Sequence, residues 1–344
     1  MSVVSVARTD SQGGQLFARV RRMLGSQEGI LVLLLVVLFV GVGMYNERFL
    51  AWNNVTDLFS VNAYIAVAAI GMSMVIITGN IDISVGSAIG VLVTLSGYVA
   101  LGLDDTGLPL PLVNLAAWVV PILGGMLIGA VNGFFVAHLG IPAIVVTLGM
   151  FSILKGGLIL VAGGDTLYDL PSGYGFAMES LLGIPLPVWL MAVLTIVAFL
   201  WMRYSRTGRS QYAVGGNAEA ARLSGLDTKR IVFTTFVLSG LFTGVASVMF
   251  ATQFNTIQAV VTPGLELQVI TASVVGGVSI LGGVGTVIGS TLAAILIRFI
   301  GSALVFVDIS PFWVKAFLGV LILVTVLADV ARRRRQERLE DGLR

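Results

Sequence analysis

The chain has 344 residues, 57% of them hydrophobic and 11% charged, with a mean hydropathy of +0.99; a water-soluble domain carries about 25% charged residues, so one is excluded and a polytopic membrane protein is implied. With no cysteine and a single histidine, His138, the chain holds no disulfide, thiol nucleophile or Cys/His zinc site. The net charge of +2 and pI near 9.0 reflect membrane topology rather than nucleic-acid binding, because the basic residues gather at the two termini and in one interior loop.

Residues 1–28 carry Arg8, Arg19, Arg21 and Arg22 ahead of an apolar run at 30–45. That run ends in GMYNERFL without a small-x-small cleavage pattern, so it reads as a retained first span behind a cytoplasmic tail rather than as a signal peptide. A span needs about 20 apolar residues to cross the hydrocarbon core. On that rule, spans fall near 29–45, 58–79, 84–102, 112–138, 143–162, 188–203, 230–252, 267–281, 285–303 and 312–330. Turn clusters separate them, among them GNID, DDTG, LGIP, GGDTLYDLPSGYG, QFNT, LGGVG and DISP. The expected fold is all-α: about ten transmembrane helices in one membrane domain, 29–330, between the tail 1–28 and a basic tail 331–344.

Charge orients these spans. If both termini are cytoplasmic, the N-terminus, the loop 203–230 and the C-terminus hold sixteen of the twenty Lys and Arg residues, as the positive-inside rule requires. The outer loops hold Arg48 alone, together with Glu47, Asp104, Asp105, Asp165, Asp169, Glu179, Glu266 and Asp308. A shift by one span would put six basic residues outside. The C-terminal ARRRRQERLEDGLR reads first as a topology anchor, with contact to acidic lipid headgroups as the alternative.

The loop 203–230 is the longest polar break in the chain. Within it Asn217 suits an N-cap, Glu219 falls in the positively polarised first turn, Arg222 lies toward the C-terminal end, and Gly225 suits the left-handed C′ position. So short a helix is marginal alone and needs something to dock against. In GNIDISVGS, residues 79–87, Asp82 lies between two apolar runs with no basic neighbour, and such a turn belongs in an enclosed or watery cavity. Two roles compete: Asp82 or Ser84 caps the next helix, or Asn80, Asp82 and Ser84 face a hydrophilic path. In GGVSILGGVGTVIG, residues 276–289, neither the Walker nor the dinucleotide-binding spacing is met. Gly282, Gly283, Gly285 and Gly289 read as helix-packing glycines, and the chain shows no means of binding ATP. His138, at the end of an apolar run, reads as structural, with a proton-relay role as the alternative. Lys155 and Arg298, charges inside spans, are better candidates for function because intramembrane charges are costly; the structural alternatives are an ion pair with an acidic loop residue for Lys155 and snorkelling near the outer end of its helix for Arg298.

Three stretches, GMSMVIITGNIDISVGS (71–87), YAVGGNAEAARLSGLDTKRIVFTTFVLSGL (212–241) and ELQVITASVVGGVSILGGVGTVIGS (266–290), resemble the permease subunits of bacterial ATP-binding-cassette sugar importers, of the ribose, rhamnose, xylose and autoinducer-2 type. The resemblance runs from about residue 45 to 330. It departs at Asn80, where the family often has glycine, and at Val269–Ile270–Thr271, where many members have Ala-Ile-Ala. It implies that Asn217, Glu219, Ala220, Ala221, Arg222 and Gly225 form the coupling helix that docks on a separate ATPase. It further implies a second permease chain, identical or paralogous, a periplasmic sugar-binding protein meeting the acidic outer segments, and a place in the bacterial inner membrane. ATP and Mg would be held by the ATPase, leaving this chain without a cofactor or metal of its own. A secondary transporter or channel is the other class; it would need buried carboxylates in several helices, and only Asp82 lies between spans on the embedded side. A membrane enzyme lacks a catalytic set.

Overall fold

The computed structural model describes residues 26–310 and 312–341. Arg8, Arg19, Arg21, Arg22 and Arg344 lie outside the described residues, as do the side chains of Arg332 to Arg335 and Arg338. The chain is almost wholly α-helical. Helix α1 (Gln27–Tyr45) leads through a 3₁₀ turn to α2 (Trp52–Ser60) and α3 (Ala63–Ile77), then α4 (Val85–Asp104), α5 (Leu110–Ala137) and α6 (Ala143–Ala162). After an outer loop come α7 (Leu186–Tyr204), α8 (Arg206–Gly216), α9 (Ala218–Leu223), α10 (Thr228–Ala251), α11 (Leu265–Val275), α12 (Val287–Phe306) and α13 (Trp313–Asp341). Four two-residue strands are the only sheet among the described residues. In the outer loop β1 (Thr166–Leu167) pairs with β4 (Ile257–Gln258), and β2 (Ser180–Leu181) with β3 (Ile184–Pro185).

Helix α3 is the axis. Its sequence, AYIAVAAIGMSMVII, is apolar on every face, and every one of its residues is buried, as expected of a helix without a polar stripe. Buried hydroxyls tie it to its neighbours: Ser73 Oγ shares a hydrogen bond with Ser290 Oγ of α12 at 2.6 Å and donates to Ser273 Oγ of α11 at 3.3 Å. Helices α1 and α6 instead leave most of their apolar side chains on the outside, which suits contact with lipid. The crossing of α5 and α10 rests on small residues. Gly125 and Gly129 of α5 face the backbone of Phe236, Gly240 and Gly244 of α10, and Gly133 faces Phe233 and Phe236, so closely that a Cβ at any of them would crowd a neighbour. Such spacing lets helix backbones approach where lipid supplies no hydrophobic drive between helices.

Contacts define two ends. At one, Gln27 Nε2 donates to Val275 O at 3.2 Å, Gly283 N to Ile77 O at 2.8 Å, and Tyr212 Oη to Gly285 O at 3.0 Å. At the other, Asn46 Nδ2 donates to Phe306 O at 3.3 Å, and Ser96 Oγ and the Tyr174 hydroxyl lie 2.7 Å apart. Burial pushes the phenol of Tyr174, in the outer loop, up to about 12. The first end carries Arg206, Arg209, Arg222, Lys229 and Arg230, so it is the cytoplasmic one.

Eight helices among the described residues are long and apolar enough to cross a membrane, taking α2 and α3 together, and two shorter apolar helices, Leu265–Val275 and Trp313–Leu327, bring the apolar segments to ten. The expected span at 267–281 is the main correction. Helix α11 has 11 residues and rises about 17 Å at 1.5 Å per residue, too little to cross. It begins after Gly264 (φ +82°) and ends where Gly277 turns to φ +98°, so a glycine inside the expected span cuts it short. The missing length is extended chain. Ile257 lies beside Gly97 of α4, Val260 and Val261 beside Gly90, and Glu266 beside Gly86. The segment from Ile257 to Glu266 thus descends along α4 from the outer side, and Glu266, expected on an outer loop, stands deep beside the start of α4.

Two intramembrane charges do not take their structural alternatives. Lys155 lies over the ring of Phe151, 5.6 Å from its centroid, while the only salt bridge among the described residues is Glu219–Arg222. On outward-facing α6 the ammonium of Lys155 finds an aromatic face four residues back. Arg298 stands mid-helix in α12 with its Nε buried and unbonded among the described residues. His138 caps α5 and stacks on Phe134, ring centroids 5.4 Å apart, with its edge toward Phe233.

Candidate functional site

The cytoplasmic loop is built as a root and a tip. Ser205 caps α8 by accepting from Gly208 N at 2.8 Å. Val214 of α8, Ala221 of α9 and Ile231 of α10 then close into a small buried cluster, with Leu226 and Val232 against it. Helix α9 spans six residues, and the Asn217 side chain caps it by accepting from Ala220 N at 2.9 Å. Gly225 takes φ +83°, the left-handed turn that ends the helix and that glycine adopts without a Cβ penalty. Asp227 at once caps α10 through Arg230 N at 3.0 Å. Glu219 and Arg222 pair in the open, at 2.6 Å and 3.1 Å, and the Glu219 bond raises the Arg222 pKa above its ordinary value. Of α9 only Ala221 is buried; Ala218, Glu219, Ala220 and Arg222 are exposed, and Leu223 is 76% exposed. Leu223 escapes sequence reasoning, since a leucine in a short helix gives no sign of which way it faces.

Behind the tip, α8 is locked to the membrane core. Gly215 lies so close to the Ile77 carbonyl and Gly283 that any side chain there would strike backbone, and Gly282 packs on Gly215 and Gly79. Gly282, Gly283 and Gly285 therefore do not pack helices together: they stand in the loop between α11 and α12 with φ +83°, +76° and +145°, angles incompatible with a helix. Gly289 alone is helical; it lies in α12 against the Gly276 carbonyl.

The 79–84 turn lies at the same end. Asp82 is 6% exposed. Its Oδ1 accepts from Ser84 N at 2.9 Å and Ser84 Oγ at 2.6 Å, and Asn132 Nδ2 donates to Ser84 Oγ at 3.0 Å. Asp82 therefore folds the turn onto Ser84 two residues on, and Ser84 makes no side-chain cap to α4. Asn80 is half-buried and donates to Thr78 O and Oγ1, both at 3.2 Å. Asn132, fully buried in α5 with its Oδ1 unbonded, is a partner that its place inside an apolar run could have flagged. Because an amide oxygen can accept both Ser84 bonds, Asp82→Asn is expected to remain within about 1 kcal/mol of the parent in stability, whereas Asp82→Ala should lose about 1–3 kcal/mol. Thermal unfolding in detergent measures both. Loss of uptake by a well-inserted Asp82→Asn protein would assign the carboxylate's charge to the solute path.

Residues 54–326 match the family described as "Branched-chain amino acid transport system / permease component". The chain belongs to this permease family. Among curated relatives, the autoinducer 2 import system permease protein LsrC of Salmonella typhi is 36% identical over 310 residues, covering 90% of this chain and 87% of its own length. The LsrC protein of Escherichia coli is 37% identical over 306 residues, 88% of this chain and 86% of its own. That of Yersinia pseudotuberculosis is 34% identical over 310 residues, 90% and 86%. No solved structure matches. The permease is a bacterial inner-membrane component, and its family role is passage rather than chemistry.

Proposed function

We propose that this permease is the membrane half of an ATP-driven importer for a monosaccharide or similar small polar solute, of the class that includes autoinducer 2. Its exposed α9 is the point at which a separate ATPase drives it. ATP and Mg belong to that ATPase, a second permease chain completes the path, and a periplasmic binding protein delivers solute to the acidic outer loops. The observation that carries this reading is the tip of the cytoplasmic loop. A capped, glycine-terminated helix of six residues buries a single alanine and presents Glu219, Arg222 and Leu223 outward. A helix too short to be stable alone, held by its root with the rest of its surface free, is built to be pushed. The relatives named for autoinducer 2 import support the solute class, whereas the family's own description names branched-chain amino acids.

The test is capture of the partner ATPase. Gly225→Val, whose β-branched side chain resists the left-handed conformation, and Glu219→Arg, which puts like charges beside Arg222, should each abolish co-purification while the permease still inserts. Undiminished capture by both variants would remove α9 from the coupling role.

A further inference from the structure

Non-helical backbone inside a bilayer survives only where protein buries it or where it lines a water-filled cavity. The descending segment beside α4 is partly buried, at Ile257 and Ala259, and partly borders a cavity. A cavity of about 290 Å³ opens between Val93 of α4, Phe250 of α10 and the stretch holding Phe254, Thr256, Gln258 and Thr262. Val93 lies between Gly90 and Gly97, the two points at which α4 meets this stretch, so the cavity stands near the middle of α4 rather than at its mouth. A second cavity, of about 410 Å³, lies above it, under the outer loop 168–179, and includes Asp169 and Glu179. Phe254 and Thr256 are the two residues that line both.

We propose that the mid-membrane cavity is a solute subsite for a small, uncharged, polyhydroxylated molecule, and that Phe254 is the lid between it and the outer vestibule. Its size falls just under the range of about 300–1,000 Å³ that holds drug-sized ligands, so the solute is small. Its lining joins the rings of Phe250 and Phe254, 6.2 Å apart and edge to face, with neutral hydrogen-bonding side chains. Thr256 and Thr262 each give and accept, and the Gln258 carboxamide does both at separate atoms. That combination offers an apolar wall to the C–H face of a sugar-like ring and partners to its hydroxyls. No ionisable side chain lines the cavity among the described residues. A free amino acid would bring two full charges with no counter-charge, which is costly away from water, so the lining favours the hydroxylated solute over an amino acid. Phe254 is 52% exposed and belongs to the non-helical stretch after α10, at the boundary that both cavities share. This inference rests on the importer reading above.

The chain has no native cysteine, so Gln258→Cys in the full-length permease, in right-side-out membrane vesicles, reports on the cavity alone. A membrane-impermeant thiol reagent should label Cys at this position, several-fold faster when Phe254→Ala is added. D-ribose, D-xylose, L-rhamnose or autoinducer 2 should slow the labelling, and L-leucine should not. A position that stays unlabelled, a rate indifferent to Phe254→Ala, or protection by leucine or by none of the hydroxylated probes would each overturn the proposal. Thr262→Cys repeats the test if Gln258→Cys fails to insert. ATPase capture through α9 is scored separately, so loss of capture with intact labelling would count against the importer reading and leave the subsite standing.

Discussion

Gly240→Val is expected to abolish accumulation of folded permease. A Cβ at 240 would press into the Gly125 carbonyl, with Gly125 C at 2.8 Å and Gly129 Cα at 3.2 Å. These are backbone atoms of a helix that cannot turn away as a side chain can. The neighbouring contacts leave no slack either, since Gly125, Gly129 and Gly244 meet the opposite helix as closely. Relief requires α5 and α10 to separate along their whole crossing, which forfeits the dispersion contacts that hold helices together in lipid. Overpacking a well-filled core typically costs about 1–3 kcal/mol; with backbone on both sides, about 3 kcal/mol or more is expected here. Set against net stabilities of about 5–15 kcal/mol, that is enough to shift the folded population sharply. Gly157→Val is the control, because nothing lies within 4 Å of a Cβ built there. The monodisperse fraction after detergent extraction should collapse for the first variant and stay near the parent for the second. Equal yields would mean that the crossing is looser than its geometry.

That crossing shows what was legible in the sequence and what was not. The spacing Gly125-x-x-x-Gly129-x-x-x-Gly133, answered by Gly240-x-x-x-Gly244, is a helix-packing signal that can be read directly. The glycines of 276–289 mislead instead, because a glycine-rich apolar run looks alike whether it packs helices or breaks one. Only φ distinguishes them, and Gly282, Gly283 and Gly285 are all positive. Helix α3 was plain from its unbroken apolar character, and α9 from its punctuation, since Asn217 and Gly225 act on their own neighbours. The descent along α4 was hidden for the opposite reason. Residues 256–264, TIQAVVTPG, carry no helical period, and the small residues that receive them, Gly86, Gly90 and Gly97, lie far away in the chain. Hence Glu266, an acidic residue after a Pro-Gly pair, read as an outer-loop carboxylate although the fold draws it down to the start of α4. The Asn132 contact to Ser84 and the outward face of Leu223 belong to the same category, fixed by packing between distant elements.

Gly215→Ala should cut solute uptake at least tenfold while the permease still inserts and still captures its ATPase. A methyl group at 215 would fall on the Ile77 carbonyl, with Gly283 N at 2.7 Å. Those two groups form the 2.8 Å hydrogen bond that joins the end of α3 to the loop between α11 and α12. Gly215 thus occupies the junction of three elements: α8, whose next turn carries α9; α3, the buried axis; and the α11–α12 loop, which Tyr212 also grips through the Gly285 carbonyl at 3.0 Å. A push on α9 reaches α3 and the α11–α12 loop directly through this junction, where α8 meets both, and α11 is the helix entered by the chain that lines the mid-membrane cavity. Lifting α8 off the junction leaves Asn217, Glu219 and Gly225 untouched, so docking survives while its movement no longer reaches the core. Gly216→Ala separates this from a general effect on the helix, because a Cβ there meets nothing within 4 Å and alanine is intrinsically better than glycine in a helix by about 1 kcal/mol. Uptake and ATP hydrolysis measured side by side in the reconstituted complex should show Gly215→Ala hydrolysing without transport and Gly216→Ala doing both. Coupled transport by Gly215→Ala would show that the motor's movement enters the membrane by another route.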